Sequence, residues 1–199
     1  MEYNFEKREI VLNRNLSELD KFVIDFCRLL DNYVLVSGYV SILFGRSRST
    51  EDVDLLIPEL DKASFEEIWN RVYDSGFECI NTSKFEEAFE MLREHAIRFS
   101  RKNKAIPNME FKIIQDDLGR YSLDKKLKVL LNGGSLFISP LEMQIAYKLF
   151  LGKSGNEKDI EDAKHLYDLF KEKLNNKELL DLVAEFKAEK EFELIKNEY

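Results

Sequence analysis

The sequence contains few of the side chains that most often bind transition metals or form disulfides. It has only two cysteines and two histidines. Cys27 and Cys79 stand far apart in apolar surroundings with no C-x-x-C spacing, and His95 and His165 have no neighbours at the spacing of zinc ligands. These absences argue against a zinc site and against a disulfide framework. They predict two buried, reduced thiols in a cytosol-like compartment.

Long hydrophobic runs are also absent from the sequence. The longest apolar stretch, residues 33–45, is well short of the roughly 20 residues that a membrane-spanning helix needs. Residues 1–10 lack the basic-then-apolar order of a signal peptide. We therefore expect a soluble, cytoplasmic protein with no membrane partner.

Positive charge is in the minority, since 30 Lys and Arg stand against 38 Asp and Glu, for a net charge of -8. This balance argues against stable bulk binding of nucleic acid, whose phosphates attract basic surfaces. The most basic segment, residues 93–104, could still line a local basic groove.

Motifs of two large enzyme classes are missing as well. There is no G-x-S-x-G motif and no Cys/His set for hydrolysis through a side-chain nucleophile. Gly152-Lys153-Ser154 lacks the leading glycine and the preceding strand of a Walker A loop. Both classes are therefore disfavoured.

The distribution of apolar residues predicts an α/β (α+β) fold. Period-two alternation and short apolar runs predict strands over residues 33–36, 53–57, 77–80, 96–100 and 109–115. Helical spacing appears between these strands and is the only pattern after Ser139. Strands and helices are interspersed rather than strictly alternating. We therefore expect a mixed sheet with helices packed on it in residues 1–139, and a helical subdomain in residues 140–199.

Two short motifs mark the end of the predicted α/β part. Asn132-Gly133 lies between apolar runs and predicts the turn of a β-hairpin. Ser139-Pro140-Leu141-Glu142 predicts a helix start, with Ser139 as the cap, proline at the first helical position and Glu142 closing a capping box.

Two carboxylates, Asp52 and Asp54, lie one residue apart at the head of the predicted strand 53–57. Residues two apart along a strand point to the same face, so these carboxylates project together while Val53 and Leu55 point into the core. Carboxylates roughly 7 Å apart repel each other unless a cation lies between them. Their oxygens suit a hard divalent ion such as Mg²⁺, which also binds substrate phosphates.

Gly38 follows the predicted strand 33–36 at a strand-to-helix turn. Backbone N–H groups and a helix N-terminus can bind a phosphate at such a turn, and a side chain would block its close approach. A glycine turn or a D-x-D pair alone is common. A nucleotide-binding site is indicated more specifically by the combination of an apolar strand, a glycine turn, a short helix, a basic spacer and D-x-D. The alternative is a structural domain in which D-x-D occurs by accident.

This combination resembles the signature of the DNA polymerase β-like nucleotidyltransferase superfamily. In that signature an apolar residue and Gly-Gly or Gly-Ser are followed by Asp-x-Asp between apolar residues. Val36-Ser37-Gly38 is similar to the first part and Asp52-Val53-Asp54-Leu55 to the second. Ser37 stands where the first glycine is usual. The run from Arg46 through Arg48 to Asp52 also resembles the Arg-x-Ser/Thr-x-Asp stretch of the AbiEii-type toxin nucleotidyltransferases.

The resemblance implies a third carboxylate on a later strand of a mixed-sheet nucleotidyltransferase core. Glu110, in Asn108-Met109-Glu110-Phe111-Lys112-Ile113, is the best match, and Lys112 would share its face and meet a phosphate or the acceptor. Asp116 and Asp117 are the second choice, although they lie in what reads as a turn. The alternative for Glu110 is an exposed residue on an edge strand.

The helical part also resembles the AbiEii-type toxins. The helix that follows Ser139 carries Lys148, and Asp159 and Asp162 lie near the start of the next helix. The resemblance implies that Lys148 neutralises triphosphate charge and that Asp159 orients this lysine or the nucleotide. The alternative is that acidic residues in a first helical turn complement the helix dipole, and we favour this interpretation for Asp162.

The expected function is Mg²⁺-dependent transfer of a nucleoside monophosphate from an NTP such as ATP to a hydroxyl group. Asp52, Asp54 and Glu110 would hold one or two Mg²⁺ ions, or Mn²⁺, and Glu110 or Asp54 would accept the proton of the attacking hydroxyl. The nucleotide would be bound by the turn, by basic side chains and by one acidic residue: Ser37, Gly38, Arg46, Arg48, Lys148 and Asp159.

The resemblance leaves three functional alternatives open. A toxin-like enzyme would modify RNA, such as a tRNA end, or a protein, beside a cognate antitoxin. An aminoglycoside-type enzyme would modify a small molecule. A non-catalytic relative would bind a nucleotide without transferring it. An RNA acceptor predicts a basic groove near residues 93–104, and a small acceptor predicts an acidic pocket.

Overall fold

The structure is a computed structural model that describes residues 1–197. The strands of this part are β1 (Glu2–Asn4), β2 (Glu9–Leu12), β3 (Val34–Leu35), β4 (Asp52–Ile57), β5 (Phe77–Cys79), β6 (Ile97–Arg101), β7 (Asn108–Ile113), β8 (Leu127–Leu131) and β9 (Gly134–Ile138). The helices are α1 (Glu18–Cys27), α2 (Gly38–Leu43), α3 (Lys62–Asp74), α4 (Phe85–Glu94), α5 (Asp117–Asp124), α6 (Leu141–Gly152), α7 (Glu157–Phe170), α8 (Asn176–Glu185) and α9 (Glu189–Asn197).

The strands form one mixed sheet in the order β1-β2-β8-β9-β3-β4-β7-β6-β5. Its parallel pairs are β2–β8, β3–β9 and β4–β7, and the other neighbours are antiparallel. Parallel neighbours need a crossover connection, and helices lie between the members of each parallel pair along the chain. The prediction of a mixed sheet with helices packed on it is confirmed.

The two faces of β4 have different environments. Val53, Leu55 and Ile57 are completely or almost completely buried in the hydrophobic core. Asp52 and Asp54 point to the other face and are partly exposed. This alternation follows from the period of two along a strand. The sequence pattern therefore predicted correctly which face of β4 carries the carboxylates.

The predicted hairpin at Asn132-Gly133 is confirmed by the antiparallel pair β8–β9. Gly133 has a φ of 122°, a backbone conformation that residues with a side chain rarely adopt. The turn therefore depends on glycine at this position.

The predicted capping box at α6 is wrong. Pro140, with φ −51° and ψ 141°, precedes the first helical residue, which is Leu141. The Ser139 hydroxyl donates to the Ser122 hydroxyl of α5 at 3.2 Å instead of capping the helix. The carboxylate of Glu142 accepts a hydrogen bond from the backbone N–H of Asn175 at 2.8 Å. Long-range partners on α5 and before α8 therefore replace the local cap.

The helices α6 to α9 follow the sheet, as the helical pattern predicted. Helix α6 packs against α7, α8 and α9, and α7 also contacts α2 of the α/β part. The helical part is therefore joined to the sheet part through packed helices. A boundary between residues 139 and 140 stays a prediction.

The burial of the cysteines and the length of the helices can both be compared with the sequence predictions. Cys27 and Cys79 are both buried, as predicted. Burial raises the pKa of the Cys27 thiol well above its usual range, so this thiol is protonated and unreactive at neutral pH. Within residues 1–197, the helices lack the length and apolar character needed to cross a membrane.

Candidate active site

Asp54 and Glu110 lie side by side on adjacent parallel strands. Strand β4 pairs with β7 in a register that places Asp54 opposite Glu110. Strand β7 is an interior strand between β4 and β6, and the Glu110 side chain is only 13% exposed. The alternative that Glu110 is an exposed residue on an edge strand is therefore wrong. The structure therefore places the Glu110 carboxylate next to Asp54, the residue with which it was predicted to act.

The ammonium group of Lys112 connects these two carboxylates. Its Nζ lies 3.0 Å from Oδ1 of Asp54 and 2.9 Å from Oε1 of Glu110. Burial by itself would lower the pKa of Lys112, but the hydrogen bonds to the two carboxylates outweigh it and raise the pKa above its usual value. Arg98, which faces Glu110 from β6, contributes a second cation at 3.4 Å. Two anions and two cations therefore share this face of the sheet.

Asp52 stands apart from this cluster. Its Oδ1 accepts a hydrogen bond from the Thr50 hydroxyl at 3.1 Å. In residues 1–197, no three His, Cys, Asp or Glu side chains are grouped closely enough to hold a metal ion. The predicted set Asp52, Asp54 and Glu110 is thus brought to one face without converging on one point.

The pair Asp54 and Glu110 nevertheless has the chemistry of a divalent cation site. Both carboxylates already contact one cationic group, the Lys112 ammonium, at 3.0 Å or less. Mg²⁺ in nucleotide-dependent enzymes is usually bound by one or two carboxylates together with substrate phosphates. Two carboxylates that can share a cation therefore fit such an ion, with further oxygens coming from a substrate.

The Ser37–Gly38 turn joins β3 to α2 next to Asp54. The backbone N–H of Val36 donates to the carbonyl oxygen of Asp54 at 3.1 Å, which fixes the end of β3 against β4. Ser37 then adopts φ 63° and ψ −140°. A non-glycine residue in such a conformation is strained by about 1–3 kcal/mol. Strain of this kind is concentrated at functional sites, and here it falls on the residue that replaces a glycine of the resembled signature.

Gly38 allows close approach by an arginine. A Cβ atom on Gly38 would lie 2.2 Å from Nη2 of Arg48, so any side chain here would displace the guanidinium group. Nη1 of the same arginine donates to Oδ2 of Asp162 on α7 at 2.9 Å. Arg48 therefore makes the close approach that a glycine permits at this position, and phosphate binding at Gly38 stays a prediction.

The predicted phosphate-binding cations are all paired with carboxylates of α7. Lys148 is 2% exposed, and its Nζ lies 2.9 Å from Oδ1 of Asp159 and 2.8 Å from Oδ2 of Asp162. Arg46 contacts Glu161 and lies 3.6 Å from Oδ1 of Asp162. These contacts form an ion-pair network between the helical part and the loop before β4, buried at Lys148 and Asp162 and exposed at Glu161.

Asp162 is the centre of this network. It is completely buried, and three cationic side chains surround its carboxylate. It is also the sixth residue of α7, beyond the first turn, whose acidic residues are Glu157 and Asp159. The interpretation of Asp162 as a simple complement to the helix dipole is therefore wrong.

A cavity of ≈ 390 Å³ lies beside Asp54, between the sheet and helices α5 and α6. Its size is in the range of small-molecule sites. Its polar lining consists of Ser37, Asp54, Lys112, Gln115, Asp116, Ser122, Ser139, Gln144 and Tyr147. Its apolar lining consists of Val36, Leu56, Ile113, Ile114, Leu118, Met143 and Leu151. The cavity thus borders Asp54, the strained residue Ser37 and α6, while Glu110 lies outside its lining.

The lining differs from the predicted nucleotide-binding set in two respects. Of the predicted residues, Ser37 lines the cavity, whereas Gly38, Arg46, Arg48, Lys148 and Asp159 do not; Gln144 and Tyr147 of α6 contribute to the lining instead. Sequence reasoning missed these two residues. Gln144 is 5% exposed within a largely apolar helix, and a glutamine among apolar residues was the available signal. Asp116, the second choice for a third carboxylate, lines the cavity but also caps α5 through the Gly119 N–H at 2.7 Å.

Comparison with known proteins supports the fold. No family model matches the chain, and no curated protein matches it. Among solved structures, the antibiotic-resistance factor ANT(2'')-Ia superimposes with a TM-score of 0.54 at 12% identity, covering 85% of this chain and 91% of the other. A nucleotidyltransferase-like protein from Paracoccidioides brasiliensis superimposes with a TM-score of 0.50 at 18% identity, covering 77% and 78%. The chain thus has a fold found in nucleotidyltransferase-like proteins.

Proposed function

We propose that this protein is a metal-dependent nucleotidyltransferase that transfers a nucleoside monophosphate from an NTP to a hydroxyl group. The observation that carries the proposal is the placement of Asp54 opposite Glu110 on parallel strands, beside the strained Ser37–Gly38 turn and a cavity. The nucleotidyltransferase-like fold and the sequence signature support it.

The cavity beside Asp54 is the proposed site for the donor nucleotide. Ser37 and Lys112 both line this cavity, and the Lys112 ammonium lies next to the carboxylates, so that the two side chains can bind phosphate oxygens. Gln115, Gln144 and Tyr147 supply hydrogen-bonding groups and an aromatic ring for the nucleoside. Arg48, 23% exposed above Gly38, can contact the phosphates from the other side of the turn.

Asp54 and Glu110 are the proposed ligands of Mg²⁺ or Mn²⁺, with Asp52 as an additional ligand from the same strand face. A bound divalent ion would supply charge neutralisation for the phosphates during transfer. The protein's own side chains orient the donor and exclude water in the cavity. Asp54 or Glu110 is the proposed acceptor of the proton from the attacking hydroxyl.

The acceptor we favour is a small hydroxyl compound rather than RNA. Within the basic segment 93–104, Arg98 pairs with Glu110 and Arg101 pairs with Asp25, which reduces the positive charge available for a nucleic acid. The cavity contains the carboxylates of Asp54 and Asp116. An RNA or protein acceptor with a cognate antitoxin, as the toxin resemblance implies, is the competing outcome.

Nucleotide binding without transfer is a second candidate. The specific observation in its favour is that Asp52 does not converge with Asp54 and Glu110, so that no three-carboxylate metal group is formed in residues 1–197. In this case the cavity would bind an NTP, and no pyrophosphate would be released.

The deciding experiment is incubation of the protein with each common NTP labelled on the α-phosphate, with Mg²⁺ or Mn²⁺. Total cellular RNA, total protein and a set of small polyhydroxyl and aminoglycoside compounds serve as acceptors. Label transfer with pyrophosphate release supports the proposal, and the labelled fraction identifies the acceptor class.

Matched variants make the experiment specific. Asp54→Asn and Glu110→Gln should abolish transfer, because each removes a charged oxygen from the pair. Asp181→Asn is the control, since Asp181 is exposed on α8, away from the carboxylate pair, and the variant should keep full activity. Nucleotide binding without pyrophosphate release for every acceptor would select the second candidate. Absence of any NTP binding would refute both.

A further inference from the structure

Lys112 occupies the space between the two carboxylates that are proposed to hold the metal ion. Its Nζ lies within 3.0 Å of an oxygen of Asp54 and of an oxygen of Glu110. A divalent ion bound by the same two oxygens would lie within a few ångströms of the ammonium group. Because two cations repel strongly at that separation in a partly buried site, they cannot both occupy it.

Within the cluster of Asp54, Glu110, Lys112 and Arg98, the charges are balanced without any added ion; Asp52, which accepts a hydrogen bond from Thr50, stands apart from this cluster. Asp54 and Glu110 contribute two negative charges, while Lys112 and Arg98 contribute two positive charges. A divalent ion added to this arrangement would give a net positive cluster. The energetic reason for the carboxylate pair to attract a metal ion is therefore largely removed while Lys112 is in place.

Lys112 is able to move from this position. Its side chain is 36% exposed and lines the cavity beside the strained turn. A lysine side chain is long and flexible, and its ammonium group binds phosphate well. A phosphate in the cavity therefore offers Lys112 an alternative partner.

We propose that Lys112 is an internal counter-cation that keeps the divalent ion out until a nucleotide is bound. The phosphates of the nucleotide then draw the ammonium group away from Asp54 and Glu110 and supply the missing oxygen ligands. This inference rests on the proposed nucleotidyltransferase function. Its consequence is that the free protein binds divalent ions weakly, and that nucleotide and metal bind cooperatively.

The test is a titration of the nucleotide-free protein with Mn²⁺, in which electron paramagnetic resonance measures the concentration of the unbound ion. Lys112→Met should bind Mn²⁺ at least about tenfold more tightly than the unchanged protein, because a competing charge is removed. Lys112→Arg should bind as weakly as the unchanged protein, since it keeps the charge. Lys190→Met, at an exposed position of α9, is the matched control and should change nothing.

Two further measurements locate and explain the effect. Asp54→Asn in the Lys112→Met background should abolish the gain, which places the bound Mn²⁺ at the carboxylate pair. A non-hydrolysable NTP analogue should tighten Mn²⁺ binding more in the unchanged protein than in Lys112→Met. Equal Mn²⁺ affinity of the folded unchanged protein and of Lys112→Met would overturn the inference.

The inference and the proposed function can fail separately. A gain in Mn²⁺ affinity without transfer to any acceptor would support the counter-cation and refute transfer. Transfer that depends on Asp54, with no effect of Lys112→Met on Mn²⁺ affinity, would support the enzyme and refute the counter-cation.

Discussion

Asp162→Asn should destabilise the protein far more than Glu161→Gln, which removes the carboxylate of the preceding residue. Asp162 and Glu161 are adjacent on α7, and both pair with arginines of the loop before β4. Asp162 is completely buried, whereas the Glu161 side chain is 59% exposed. The two positions therefore form a matched pair that differs mainly in burial.

The expected magnitude follows from the partners of Asp162. Its Oδ2 lies 2.8 Å from Nζ of Lys148 and 2.9 Å from Nη1 of Arg48. Asparagine would leave Lys148, which is 2% exposed, with Asp159 alone, and would turn an amide N–H₂ towards one of the cations. Breaking a buried ion pair by removing one partner costs about 3–5 kcal/mol. Glu161→Gln should cost less than about 1 kcal/mol, because exposed ion pairs contribute little.

Urea unfolding measures both variants. Trp69, the only tryptophan, is buried in the α/β part and reports its unfolding by fluorescence, while far-UV circular dichroism reports the helices. Asp162→Asn should also lower Tm by about 6–20 °C, at roughly 2–4 °C per kcal/mol for a protein of this size. A loss no larger than that of Glu161→Gln would refute the reasoning. Separation of the two probes in Asp162→Asn would support residues 140–199 as a separate unit.

Three other substitutions follow from the structure. Ser37→Gly should raise the free energy of unfolding by about 1 kcal/mol, because it relieves strain of about 1–3 kcal/mol and costs about 0.5–1 kcal/mol in chain entropy. Ser37→Ala keeps a side chain at a φ of 63° and should show no gain when both variants are compared by thermal unfolding. Gly38→Ala should cost less than Arg48→Ala, because the added methyl group meets only the flexible end of Arg48, which can shift. The double variant should be no less stable than Arg48→Ala alone, because the methyl group then meets no clash; a double-mutant cycle measures this. Burial raises the pKa of Glu142 above its usual value, so the unchanged protein loses stability as pH rises from about 4.5 through this raised pKa. Glu142→Gln should therefore gain stability relative to the unchanged protein over this pH range and keep a constant advantage above it, as measured by urea unfolding at a series of pH values. An advantage that does not change across this range would contradict the reasoning.

Local patterns in the sequence determined the fold class and the face of the carboxylates. The period-two alternation in residues 52–57 was sufficient to place Asp52 and Asp54 away from the core, because strand geometry forces alternate side chains to opposite faces. The hairpin at Asn132-Gly133 was predicted for a similar reason, since the turn requires a backbone conformation that glycine provides. Glu110, chosen as the third carboxylate from its apolar strand and from the resemblance, lies beside Asp54, and its role as a metal ligand stays a prediction.

Apart from the contact of Lys148 with Asp159, which the resemblance implied, the tertiary structure decided which charged groups face one another. Lys112 meets Asp54 across 58 positions of the sequence, and Arg48 meets Asp162 across 114. The capping-box prediction at Glu142 failed for the same reason, because a partner 33 residues away replaced the local one. Spacing along the chain specifies contacts within a helix or strand, where the geometry repeats. Ion pairs between elements depend on how those elements pack, and that packing was not encoded in any short stretch of the sequence.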